Sequence, residues 1–300
     1  MKRRLIKQGA NALTITVPKE WTQMQNLESG DEVDASIDGG LLVLRAQAAV
    51  QKKKTCFHLP AQTPSVHRFL IANAYRAGYD EIELTYESAS QLADVQSFIE
   101  ELLGVEITSQ KERSVLLKVV ALPDQREYDV LFRRIFHIIE TALDYLMADM
   151  KTGAFDPAKM SALMKNLLRL SNFCSRLLLN QPFENKSLAH SDFSILKLAD
   201  YWISECCYLY GMIAARKKVE PAVHAYLDSC RSFFKAITQT LFKPDLKGIA
   251  ILLALKGRLF DEKNSAMQKV RTDHALIQEI SILFRLFTVA IGPLSMRIIR

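Results

Sequence analysis

The chain has 300 residues, of which 49% are apolar, and a formal net charge of +6. That length exceeds what one core usually serves, so two or three domains are expected, and the apolar content excludes a disordered chain. A charge of +6 is too small to assign a nucleic-acid partner by itself, so the decision falls to where the charge sits.

The first 46 residues read as short strands with one short helix. In Ala12-Leu13-Thr14-Ile15-Thr16-Val17 apolar and polar residues alternate, placing Leu13, Ile15 and Val17 on one strand face. Pro18 ends that strand. Lys19 to Leu27 gives a short amphipathic helix closed by Ser29-Gly30-Asp31, and Glu32 to Arg45 gives two strands about an Asp38-Gly39-Gly40 turn. A unit of this size buries too little to offset its chain entropy without a metal, a disulfide or a partner. Since neither of the first two is signalled, an interleaved homodimer is expected.

Charge is segregated within this unit. Lys2, Arg3, Arg4, Lys7 and Lys19 fall in the first 19 residues with no acid, while Glu28, Asp31, Glu32, Asp34 and Asp38 follow. Paired in a dimer, the basic segments would line one surface suited to phosphates and to guanine edges in a major groove. Asn11, Thr14 and Thr16 would add hydrogen bonds from the polar strand face. From charge alone, an ordinary solvated strand explains these residues equally well.

A linker over 47–54 ends in Lys52-Lys53-Lys54. Then strands and helices alternate: a strand at Cys56 to Leu59, a helix at Ser65 to Ala77, a strand at Glu81 to Thr85, a helix at Ser90 to Leu103, and strands at Val105 to Thr108 and Ser114 to Val120. This predicts a small α/β sandwich with helices on one face of a sheet. From Pro123 onward the spacing is helical throughout. The first helix stops near Gly153, and further starts are expected at Asp156-Pro157, Ser191-Asp192, Glu220-Pro221, Pro244-Asp245 and Asn264-Ser265. Six helices with short breaks imply an all-α bundle of two three-helix halves. The expected domains are 1–47, 54–122 and 123–300.

The runs Arg4-Leu5-Ile6-Lys7-Gln8-Gly9, Leu13-Thr14-Ile15-Thr16-Val17-Pro18-Lys19-Glu20-Trp21 and Leu27-Glu28-Ser29-Gly30-Asp31-Glu32-Val33 resemble the AbrB/SpoVT/MazE swapped-hairpin family. With Ala74-Tyr75-Arg76-Ala77-Gly78-Tyr79-Asp80 and Glu100-Glu101-Leu102-Leu103-Gly104-Val105-Glu106-Ile107, the whole chain resembles archaeal-type PhoU-family regulators. The resemblance implies a multidomain fold: an AbrB-like swapped-hairpin β-barrel, a small α/β sandwich, and a PhoU-like pair of three-helix bundles. It implies a dimeric, DNA-binding transcription regulator tied to phosphate uptake or signalling, its contacts with double-stranded DNA at Arg3, Arg4, Lys7 and Lys19. The alternative it implies is an adaptor that docks on a phosphate transporter or kinase, the hairpin serving only to dimerise.

PhoU bundles carry ExxxD motifs for multinuclear metal clusters, and here the first acids are replaced by Leu196 and Lys269, leaving Asp200 and Asp273. One carboxylate per motif supplies too few oxygens for a hard cation. One intact spacing, Glu140 and Asp144 with His137 a turn earlier, shares a helix face and could present a divalent or iron-type metal, although a solvated polar stripe is the plainer reading. No cofactor is otherwise called for. Nucleophile elbow, phosphate loop and HExxH are absent, so no enzyme is expected.

Cys56, Cys174, Cys206, Cys207 and Cys230 form no CxxC pair, and no signal-peptide core follows Met1. A reducing, cytoplasmic setting is expected. The most apolar charge-free run near the end, Leu286 to Met296, holds Gly292-Pro293 and falls short of the roughly 20 residues a bilayer span needs, so no transmembrane segment is expected.

Overall fold

The computed structural model describes residues 2–9, 12–38, 40–46, 52–61, 64–122, 124–180, 186–216 and 218–298. The chain divides into two compact units, Met1–Lys52 and Lys53–Arg300.

The first unit contains β1 (Ile6–Gln8), β2 (Ala12–Thr14), α1 (Lys19–Met24), β3 (Val33–Asp38) and β4 (Leu41–Ala46). β1 and β2 form one antiparallel pair, and β3 and β4 another. The strand expected over residues 12–17 is shorter than its alternation suggests. Regular pairing ends at Thr14, opposite Ile6, because β1 supplies only three partner residues. Pro18 then accepts the first helical hydrogen bonds, from Trp21 N at 3.1 Å and Thr22 N at 3.2 Å, which starts α1.

The second unit begins with β5 (Lys54–His58), α2 (Pro64–Arg76), β6 (Glu81–Thr85), α3 (Ala89–Ile99), β7 (Val105–Lys111) and β8 (Ser114–Val119). The strand order is β5-β6-β8-β7, with β5 and β6 parallel and the other pairs antiparallel. Ile82, Leu84, Val115 and Leu117 point into a core with Ile71 and Tyr75 of α2 and Val95 of α3, whereas Glu83 and Thr85 face outward. Both helices therefore cover one face of the sheet. α3 stops at Ile99, short of the expected Leu103, and the chain turns so that Leu102 enters the core. Its start is fixed by a capping box: Gln91 Oε1 accepts from Ser88 N at 2.9 Å and Gln91 N donates to Ser88 Oγ at 3.4 Å, while Gln91 Nε2 ties the turn to Leu59 O at 2.9 Å.

The helices that follow are α4 (Tyr128–Thr152), α5 (Pro157–Asn180), α6 (Lys186–Ala214), α7 (Pro221–Phe242), α8 (Leu246–Lys269), α9 (His274–Val289) and α10 (Ile291–Met296). α4, α5 and α6 pack on one another, as do α7, α8 and α9, and the contacts α4–α7 and α6–α9 join the two groups. One core runs through both. At its centre Trp202 lies edge-on to Phe234 and Phe287, with ring centroids 5.6 and 5.5 Å away. Gly153 ends α4 in the left-handed conformation at φ 72°, as its position predicts.

Two expected helix starts are corrected. Ser191-Asp192 lies inside α6, because Asp192 is held in the bundle by the Tyr128 hydroxyl, 2.9 Å away, and by Arg297. Asn264-Ser265 lies inside α8; the break comes at 270–273, where the Glu220 carboxylate accepts the N–H groups of Arg271, Thr272 and Asp273. Those bonds hold Glu220 down at about 2.

The sheet and the bundle meet through Arg176 of α5. Its guanidinium donates to the carbonyls of Tyr75 at 2.7 Å, Tyr79 at 2.9 Å and Gly78 at 3.3 Å, and to Asp80 Oδ1 at 2.5 Å. Gly78 has φ +88°, and a Cβ there would lie 2.2 Å from Asn180 Oδ1, so only glycine fits this turn. Among the described residues, His274–Met296 is one stretch long and apolar enough, by length and composition, to cross a membrane. The shorter run read from sequence stops at Arg285, whereas here Leu276, Ile277, Ile280, Leu283 and Phe287 are buried in the bundle core.

Candidate nucleic-acid interface

None of the described side chains between residues 2 and 46 is buried. Ile37 is 83% exposed and Met24 72%, and Leu5, Ile6, Leu13, Leu41 and Leu42 all stand largely in water. Short hairpins explain this. Each two-stranded sheet has only its one partner strand, so among the described residues of this unit its apolar alternation is not buried.

The basic residues are placed along this unpacked unit. Lys2, Arg3 and Arg4 precede β1, Lys7 lies within it, and Lys19 opens α1; all are exposed, and among the described residues none makes an ion pair. Asn11 lies outside the described residues. Thr14 is on β2, its hydroxyl donating to Ile6 O at 3.2 Å, and Thr16 is exposed between β2 and α1. The β1–β2 register pairs Lys7 with Leu13 and Ile6 with Thr14. Directly opposed residues share a face, so Lys7 stands on the Leu13 face and Thr14 on the other. The division into an apolar face and a polar face, read from residues 12–17 alone, therefore does not hold for the hairpin. Its missing signal was the register with β1, which local alternation does not contain.

The candidate metal residues are dispersed. On α4, His137 Nδ1 is 3.3 Å from Glu140 Oε2, but Asp144 is turned to Arg231 at 2.6 Å. On α6, Asp200 accepts from Lys197 at 2.7 Å. Asp273, buried before α9, accepts from Arg216 Nε at 3.0 Å and from Glu220 N at 2.9 Å. Asp144 and Asp273 are taken up by a cation or a backbone donor, Asp200 gives Oδ2 to Lys197 while its buried Oδ1 has no partner, and among the described residues no group of three His, Cys, Asp or Glu converges. Sequence reasoning missed a different acidic contact, in which Glu205 of α6 faces Glu279 of α9 and is raised by burial and by that neighbour. Two carboxyls supply too few oxygens for a cation site.

The cysteines are free in every case. Cys206 is fully buried and its thiol is pushed well up by desolvation, while Cys207, half-buried, is raised to about 11 for the same reason. Neither is a ready thiolate at neutral pH.

Residues 6–52 match the family model described as antidote-toxin recognition MazE, bacterial antitoxin. The match covers β1 to β4 with α1, and nothing of the four-stranded sheet or of α2 to α10. No curated protein matches the chain, and no solved structure does.

Proposed function

We propose that the chain is a DNA-binding regulator whose first unit works as an interlocked pair. Two copies exchange hairpins, cover one another's Leu5, Ile6, Leu13, Ile37, Leu41 and Leu42, and bring two sets of Lys2, Arg3, Arg4, Lys7 and Lys19 onto one surface for double-stranded DNA. The observation that supports this most is the absence of any buried side chain among the described residues of a unit with this much exposed apolar surface. A second chain is the economical cover. The ordinary solvated strand, which accounted for the cations equally well, does not account for that surface.

Unpaired cations support the DNA reading, since charges already neutralised by carboxylates would release no counterions on binding. The register refines it. Lys7 and Thr14 face opposite ways, so one hairpin face cannot present both to the same groove; the phosphate contacts are assigned to Lys2, Arg3, Arg4 and Lys19, with Lys7 reaching out past the covered Leu13 along its flexible stem. The sheet and the PhoU-like bundle then serve as the sensing part, without catalysis, and the link to phosphate rests on resemblance alone. A duplex-binding titration over a range of salt concentrations tests the proposal. Salt-steep binding that weakens when Arg3 and Arg4 are changed to Ala supports it; binding that is absent at low salt, or indifferent to that change, overturns it.

The matched model's description favours one other reading, in which the first unit recognises a toxin-like protein and the chain acts as an antitoxin or adaptor. Stable capture of a protein partner by a chain that holds no duplex would favour it.

A further inference from the structure

A second surface on the chain has the pattern of a helix that is only half packed. α8 buries Leu252, Leu259 and Ala266, spaced by seven, on its inner side. On the outer side Leu246, Ala250, Leu253, Gly257, Phe260 and Asn264 follow one another by steps of four, three, four, three and four, and all are exposed. Leu246 is 77% exposed and Phe260 61%. This is the spacing of a coiled-coil seam, running about 21 Å from Leu246 to Phe260.

Packing within its own chain does not require a glycine at Gly257. Its backbone is helical, a Cβ built on it would meet nothing within 4 Å, and glycine is disfavoured in the middle of an exposed helix. Ala250, one heptad earlier, is also small. A glycine and an alanine one heptad apart form a small edge of the seam where a second helix can approach closely, while Leu246, Leu253 and Phe260 form its large apolar edge.

We infer that the α8 seam binds the α8 seam of a second copy of this chain, antiparallel, with Leu253 at the two-fold axis. In that register Leu253 meets its own symmetry mate, Leu246 lies over the second copy's Phe260, and Ala250 lies against the second copy's Gly257. The flanking charges complement one another as well. Lys247 falls opposite the second copy's Asp261, and symmetry repeats that pair at the far end. Both residues are exposed, and among the described residues neither makes an ion pair, whereas the neighbouring Arg258 is already held by Glu262 at 3.4 Å. Lys256 falls opposite the second copy's Ile249, so the face carries no like-charge clash along its length. This isologous match of size and sign is the reason to assign the seam to a second copy and not to an unrelated helix.

Cysteine cross-linking in the full chain tests the register. Cys56, the exposed native cysteine, is first changed to Ser. Leu253→Cys is then expected to form a covalent dimer with itself under mild oxidation. Ala250→Cys and Gly257→Cys are expected to link to each other when the two proteins are mixed, and at least about tenfold more slowly to themselves. Self-linking at all three positions would mean parallel pairing and overturn the assignment, as would the absence of any link.

The charges give a second, independent arm, read by the Leu253→Cys cross-link. Lys247→Glu should lower its rate at least about tenfold, and Asp261→Lys added to the same chain should restore it. Failure of the double change to restore it, with both variants folded by circular dichroism, also overturns the inference. The cross-link reports on α8 alone, so a first unit that proves monomeric would undo the proposed DNA-binding pair without bearing on this one.

Discussion

Residues 53–300 place Trp202, Phe234, Leu117 and Ile82 out of water within a single chain, whereas residues 2–46 leave Leu13, Ile37 and Leu41 in it. The residue types are similar; the number of layers is not. A four-stranded sheet under two helices and a bundle of long helices each give an apolar face something to pack on, while a two-stranded hairpin has only its partner strand. On the reading proposed above, the stability of the larger region belongs to one chain and that of the first unit to a pair.

That contrast can be broken or sharpened by measurement, beginning with the largest effect. Phe234→Ala, in the bundle centre, should cost about 3–5 kcal/mol in denaturant unfolding, and the cost should not depend on protein concentration. Arg176→Ala should cost about 3 kcal/mol in the same experiment by orphaning the carbonyls of Tyr75, Gly78 and Tyr79 and the Asp80 carboxylate; a cost below 1 kcal/mol would mean that the sheet and bundle do not rely on that clamp. Ile37→Asp should leave the unfolding of 53–300 unchanged and weaken pairing of the first unit by about 2 kcal/mol, seen as a concentration-dependent loss of dimer in sedimentation. If Ile37→Asp proves as silent as its exposure in one chain suggests, the first unit does not pair through that face.

A smaller effect should appear in the salt dependence of duplex binding. Each of Arg3 and Arg4 that rests on a phosphate should lower the log–log slope by about 0.9 when changed to Ala. The smallest concerns pH. Glu220 is held at about 2 in the folded chain, against an ordinary 4.5, so between those values the unfolded chain binds the extra proton and stability rises with pH. The melting-temperature difference between the parent and Glu220→Gln should therefore be largest above pH 5 and shrink as pH falls toward 2. A difference that grows on acidification would show that Glu220 does not anchor 271–273 through its charge.

Much of the secondary structure was legible because it is written locally. Gly153 ends α4, Pro157 and Pro221 open α5 and α7, and Asp245 caps α8 through Gly248 N at 2.5 Å, all within one turn of the residues that signal them. The two misplaced starts share a cause. Ser191-Asp192 and Asn264-Ser265 have the composition of helix caps, but Asp192 is held by Tyr128 and Arg297, and the true break near 272 is bound by Glu220, residues distant in sequence. The candidate interface was legible as a charge pattern only; which face each cation occupies depends on the pairing of β1 with β2.

The order of elements from β1 to α5, the small first unit and its segregated charge were determined by the sequence alone, since propensity, capping and charge act over a few residues. The β5-β6-β8-β7 order, the Arg176 clamp, the dispersal of His137, Glu140, Asp144, Asp200 and Asp273, and the bare outer face of α8 were decided only in the tertiary structure. Each depends on which distant side chains come within a few ångströms of one another, and burial and hydrogen-bond partnership follow from that meeting and not from local spacing.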